Sequence, residues 1–142
     1  MKLEVGMYVR TEYGISKIVN IFFEKTSTFI ETDNGLGNCN MSTRGKLHKG
    51  IYILEEDYKT FIDNNVKSAI IDLIKVGDYV NGYKIYSIYD DDKYVNEYNL
   101  KHKKCLGKNI YDEDYQEYLI YEEDIETIVT KEQFEAMQYK VV

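Results

Sequence analysis

Val5-Gly6-Met7-Tyr8-Val9-Arg10 returns as Val76-Gly77-Asp78-Tyr79-Val80-Asn81, displaced by 71 positions. A second block behaves the same way. Ile53-Leu54-Glu55-Glu56-Asp57-Tyr58-Lys59-Thr60-Phe61-Ile62 returns as Ile120-Tyr121-Glu122-Glu123-Asp124-Ile125-Glu126-Thr127-Ile128-Val129, displaced by 67. Two blocks in the same order, with displacements that differ by only 4, are what a tandem duplication with small loop insertions leaves behind. The repeat divides the chain into residues 1–65 and 66–142. Each unit is near the lower size limit for folding around one core.

Within a unit, Val-Gly-x-Tyr-Val alternates at the strand period of two. It predicts an opening bent strand whose glycine marks a bulge or a close backbone approach, with Gly14-Ile15 matched by Gly82-Tyr83 shortly after. Residues Ser16–Phe23 and Thr28–Thr32 then read as a hairpin, followed by the turn-rich loop Asp33–Gly37. The second copy repeats the plan with strands at Tyr83–Tyr89 and Tyr94–Leu100 around a turn at Asp90-Asp91-Asp92, and a closing strand near Ile125–Val129. Short helical turns are predicted at 56–65, at 67–73 and after Thr130, which suits an N-cap. With 15 Tyr and no Pro among 142 residues, the composition favours strands. The expected fold is mainly β: two tandem small SH3-like β-barrels with short helical turns that close the barrels or bridge the lobes.

Asp72-Leu73-Ile74-Lys75-Val76-Gly77-Asp78-Tyr79-Val80-Asn81-Gly82-Tyr83-Lys84, with Ile128-Val129-Thr130-Lys131-Glu132-Gln133-Phe134 later on, resembles small uncharacterised proteins from phages and prophages of low-GC Gram-positive bacteria. The abundance of Ile, Asn, Lys and Tyr, all with AT-rich codons, agrees with such a source. The resemblance covers mainly the second half and carries no assigned chemistry. It implies an accessory phage product, and inhibitors of host defence, anti-CRISPR proteins among them, are a prominent class of these.

Charge narrows the partners. Residues 1–65 carry 8 basic and 9 acidic side chains, and residues 66–142 carry 10 and 16, so nearly all of the net charge of −7 lies in the second half. Phosphate neutralisation needs clustered Lys and Arg, so the second half is poorly suited to general nucleic-acid binding and better suited to a basic partner. Residues 109–126 contain eight acids and no Lys or Arg, interleaved with Tyr111, Tyr115, Tyr118 and Tyr121. Tyrosine offers contact area at low entropic cost, and spaced carboxylates can stand where phosphates would lie on a nucleic-acid-binding partner. The partner-binding face is accordingly expected at Asp90, Asp91, Asp92, Tyr111, Asp112, Glu113, Asp114, Tyr115, Glu117 and Tyr118. A solvated acidic loop with half-buried tyrosines is the simpler alternative.

Other clusters carry less. Glu55-Glu56-Asp57 and Glu122-Glu123-Asp124 recur in both copies, which suits a shared turn or cap before the closing strand better than a paired acid site. Lys101-His102-Lys103-Lys104 with Lys108 is the one basic cluster, and it sits beside the acidic stretch that it would neutralise. Cys39 with His48 and Cys105 with His102 lack the ligand spacing of zinc sites, so no metal, no cofactor and no disulfide are expected. Neither a phosphate loop nor a nucleophile elbow occurs, and a non-enzymatic role is expected. No apolar run reaches 18 residues and the first residues lack a signal-peptide pattern, so a soluble protein of the bacterial host cytoplasm, away from membranes, is expected. The alternatives are a nucleic-acid-binding small-barrel module using Lys101–Lys108 and a sponge for a nucleotide signal held between lobes or protomers.

Overall fold

A computed structural model of the chain describes residues 2–43, 45–89, 105–108 and 118–138. The protein is mainly β and divides into two units, Met1–Leu73 and Ile74–Val142. The division falls beyond the 65/66 junction drawn from the repeat because the strand that completes the first unit follows that junction.

The first unit contains β1 (Tyr8–Thr11), β2 (Gly14–Phe23), β3 (Ser27–Thr32), β4 (Cys39–Thr43), β5 (Lys46–Leu54), α1 (Glu55–Asn65), β6 (Val66–Lys67) and a 3-10 turn η1 (Ile70–Leu73). Its antiparallel sheet has the order β4-β5-β3-β2-β1-β6. The second unit contains β7 (Tyr79–Val80), β8 (Tyr83–Tyr89), β9 (Cys105–Lys108), β10 (Tyr118–Ile120), a 3-10 turn η2 (Glu122–Asp124), β11 (Ile128–Val129) and α2 (Lys131–Met137). Its sheet has the order β10-β9-β8-β7-β11, also antiparallel throughout. With β4 set aside, the two orders are the same, and each unit returns its last strand to pair with its first.

The opening motif is a turn at Val5-Gly6 and Val76-Gly77 that leads into the expected strand at Tyr8 and Tyr79, so the strand begins later than expected. Met7 N–H donates to Glu4 O and Asp78 N–H to Lys75 O, with Gly6 at φ +98° and Gly77 at φ +99°. A third turn position with positive φ is where glycine is favoured. Val5 and Val76, the second turn residues, are 60% and 55% exposed, so the apolar-small alternation did not mark a buried face here. Each turn then clips its unit together. Gly6 N–H donates to Ile18 O and Ile18 N–H to Met7 O; Gly77 N–H donates to Ile85 O and Ile85 N–H to Asp78 O. Val9, Ile18, Val80 and Ile85 are all fully buried as a result.

The four-residue difference between the displacements has one location. Tyr8 pairs with Lys17 and Tyr79 with Lys84, but β1–β2 extends two pairs beyond the stretch it shares with β7–β8. By register, Ser16 corresponds to Tyr83, so the match of Gly14-Ile15 with Gly82-Tyr83 was out of step; Gly82 lies in the shortened turn itself. Both second strands then bend at a register shift, between Ile18 and Asn20 and between Ile85 and Ser87, again 67 apart.

The end of the second repeat block also diverges. Thr60-Phe61-Ile62 lies in α1, whereas Thr127-Ile128-Val129 leads into and forms β11. Glu55-Glu56-Asp57 and Glu122-Glu123-Asp124 nonetheless open a helical segment in each unit, where their charges complement the exposed N–H groups. The predicted Thr130 cap is present as a full capping box with Gln133. Asp78, fully buried, adds to it: its carboxylate accepts from the backbone N–H groups of Lys75 and Lys131, at 2.7 and 2.8 Å, and so ties the repeated turn to α2. Strands β4, β5, β6, β9 and β10 are not among those the sequence predicts, and the helical turn expected at 67–73 is confined to Ile70–Leu73, because Val66 and Lys67 pair with β1. The predicted strand at Tyr94–Leu100 and the turn at Asp90–Asp92 lie outside the described residues.

The first unit has two layers of side chains on its sheet. Ile18, Ile30, Ile53, Leu36, Ile62 and Val66 form the main core with Leu3 and Val9. On the other face, Phe22, Phe29 and Tyr52 stand side by side across β2, β3 and β5. Phe22 packs tilted against Phe29 at 6.1 Å and against His48 at 5.2 Å, and His48 Nδ1 meets Glu31 Oε2 at 2.6 Å. Phe29 is only 1% exposed, and its ring covers Gly50, where a side chain would collide with the Ile30 carbonyl.

The repeated turns carry a direct test. Gly6→Ala and Gly77→Ala are expected to cost about 1–2 kcal/mol each, the strain of a left-handed non-glycine residue. The costs should agree closely, because an added Cβ meets nothing within 4 Å at Gly6 and only the flexible Lys131 side chain at Gly77. Denaturant unfolding followed on amide signals of each unit measures both.

Candidate functional site

At one end of the first unit, the β2–β3 turn and the start of α1 are bound together. Glu24 N–H donates to Ser27 O, closing the turn, and Glu55 N–H donates to Thr26 O, capping a helix whose Leu54 cap supplies no side-chain acceptor. Between them lies a groove of about 340 Å³ lined by Phe23, Glu24, Lys25, Ser27, Thr28, Glu55 and Tyr58. A second depression, lined by Thr26, Leu54, Glu55 and Glu56, adjoins it through Glu55. Glu55 and Tyr58 are three apart on α1 and therefore share a face.

The two depressions together are lined by three acids, Glu24, Glu55 and Glu56, by one lysine, Lys25, and by the rings of Phe23 and Tyr58. Glu24 Oε2 accepts from Ser27 Oγ at 3.3 Å, which fixes one acid relative to the turn. Phe23 is 63% exposed at the rim, while Tyr58 packs by part of its ring against the main core. A lysine or arginine side chain can lie over such rings with a carboxylate beside it, gaining both cation–π attraction and charge pairing.

Asp90, Asp91, Asp92, Tyr111, Asp112, Glu113, Asp114, Tyr115 and Glu117 lie outside the described residues. Tyr118 opens β10, with its backbone paired to Lys108. The basic residues Lys101–Lys104 lie outside the description as well. Among the described residues no group of three His, Cys, Asp or Glu side chains could hold a metal, and Cys39 lies near Asn38 Oδ1 rather than in a ligand set. No helix among them is long and apolar enough to cross a membrane.

Sequence reasoning missed the groove at Phe23, Glu24, Glu55 and Tyr58. Its ingredients were visible as an aromatic ending a strand beside an acid-bearing turn, but nothing local told that this turn would meet the start of α1. Compared with known proteins, the chain matches no family model, no curated protein and no solved structure.

The two exposed and buried rings should separate cleanly. Phe29→Ala is expected to cost about 3–5 kcal/mol as a core truncation, and Phe23→Ala no more than about 0.5 kcal/mol as a surface one. Urea unfolding gives both; a large loss from Phe23→Ala would mean that the ring serves the fold and not the groove.

Proposed function

We propose that this chain is a non-catalytic binding protein, phage-encoded, that inhibits a component of bacterial defence by offering acidic and aromatic surfaces to a basic, nucleic-acid-binding partner. A CRISPR effector is one such partner. The observation that carries the reading is the acid-and-aromatic groove of the first unit, because the same composition recurs at residues 109–126 of the second. Carboxylates spaced along a surface compete for side chains that would otherwise hold phosphates, and the aromatic rings add area that excludes water.

The scaffold reading is a pair of SH3-like barrels. Its support is the repeated meander, the bend in each second strand, and the final strand that returns after a helical segment to pair with the first. Such scaffolds leave their connecting segments free for recognition. The buried polar side chains Asp78 and Thr130 are occupied with backbone and helix capping, which accounts for them without chemistry.

The test is capture by the tagged full chain from nuclease-treated lysate of a low-GC Gram-positive host, at two salt concentrations. A basic partner should be recovered near stoichiometry, weaken as salt rises, and be lost both with Asp112, Glu113 and Asp114 changed to lysine and with Glu24→Lys plus Glu55→Lys. Retention of the same partner by both charge-reversed variants contradicts the reading. Mobility shift of a nucleic acid by the purified protein at low salt would favour the nucleic-acid-binding alternative instead.

A further inference from the structure

We propose that the first unit holds a second, separate site, for a nucleoside phosphate, at the end of β2 opposite Phe23. A groove of about 510 Å³ is lined there by Tyr13, Asn34, Gly35, Leu36, Gly37, Asn38 and Lys49. This is within the size range of small-molecule sites. Its lining contains one cation and no carboxylate, in a chain whose net charge is −7.

The duplication provides an internal reference for what the scaffold needs. The β7–β8 hairpin completes its pairing with two residues fewer on each strand, so the extension that carries Tyr13 is not required to build the unit. Yet the extension is firmly held. Arg10, 5% exposed, donates from Nη1 to Leu73 O at 2.9 Å, and Asn65 Nδ2 donates to Arg10 O at 2.9 Å. Tyr13 stands at its tip, 50% exposed, where its ring is available as a stacking surface.

The opposite wall is equally fixed. Leu36 is buried in the main core, and its N–H donates to Thr32 Oγ1 at 2.8 Å; Gly35 N–H donates to Thr32 O, and Ser16 Oγ donates to Asp33 Oδ1 at 2.6 Å. Gly35 and Gly37 take φ of +70° and +118°, and a side chain at Gly37 would collide with the Gly50 carbonyl. Above Gly35 there is open space, with nothing within 4 Å of an added Cβ. A well-bonded wall has little conformational entropy to lose when a ligand binds.

The chemistry follows from the lining. The Lys49 ammonium pairs with a phosphate and Tyr13 stacks on a base. Asn34 Oδ1 accepts from Thr32 Oγ1 and Asn38 Oδ1 from Cys39 Sγ, which leaves the two amide NH2 groups as donors to base or ribose. The ligand class is a nucleoside monophosphate, taken up without covalent change.

Titration of the isotope-labelled full chain with AMP, GMP, CMP and UMP, each separately and up to about 10 mM, tests the site at millimolar affinity or better. Saturable shifts of the Gly35, Gly37 and Asn38 amide signals are expected with at least one nucleotide. Lys49→Glu should weaken that binding at least tenfold, Tyr13→Ala should weaken it less, and the matching nucleoside without phosphate should bind more weakly. Both variants alter exposed side chains, and their unchanged amide spectra elsewhere verify the fold. No saturable shift with any of the four, or equal affinity in Lys49→Glu, overturns the proposal. The partner capture tested above uses other residues, so either reading can fail while the other stands.

Discussion

Two hydrogen bonds made at one glycine turn govern each half of this protein. In the first unit Gly6 N–H reaches Ile18 O and Ile18 N–H reaches Met7 O; in the second, Gly77, Asp78 and Ile85 repeat the arrangement. The turn delivers the first strand onto the second at a set register, and a single-residue slip would send every side chain to the wrong face. Val9 and Ile18, like Val80 and Ile85, therefore reach zero exposure together. The later bend at Ile18/Asn20 and Ile85/Ser87 starts from the same pinned residue.

Around that clip the two copies have diverged where the sheet permits it. Hairpins change length two residues at a time per strand without altering which face is buried, and β1–β2 against β7–β8 is such a change. The helical connection also varies, from the eleven residues of α1 to the three of η2, because both need only deliver the final strand to the first. Met7 is replaced by Asp78 at the corresponding turn position, where the carboxylate serves a helix that begins at Lys131. Variation in these connections is what allows one scaffold to present different surfaces.

The sequence made the repeat legible through its similarity to itself, and the strand content, the Ser16–Phe23 and Thr28–Thr32 hairpin, α1 and the Thr130 cap legible because these depend mainly on neighbours in sequence. It misread Val5-Gly6, because alternation cannot distinguish a buried strand from a turn that leaves its valine in solvent. It did not reveal β4 and β5, where Asn40, Ser42 and Thr43 in β4 and His48 and Lys49 in β5 interrupt the apolar period, and pairing of β5 with distant β3 fixes the strands. The groove at Phe23 and Glu55 was invisible for the same reason, since it joins segments far apart in sequence; the loop at Asp33–Gly37 was legible as a turn, but its place beside Tyr13 and Lys49 was not. Gly37 signalled only a turn locally, while its requirement and that of Gly50 come from backbone meeting backbone, Gly37 against the Gly50 carbonyl and Gly50 against the Ile30 carbonyl.

The two clips should be equivalent in strength of protection, which native-state hydrogen exchange measures at single residues. Ile18 and Ile85 amides should be among the slowest to exchange in their own units, opening only as each unit unfolds. If the Ile85 amide exchanges at the rate of an exposed loop while Ile18 remains protected, the second unit is not held by the repeated turn and the duplicated scaffold described above is wrong.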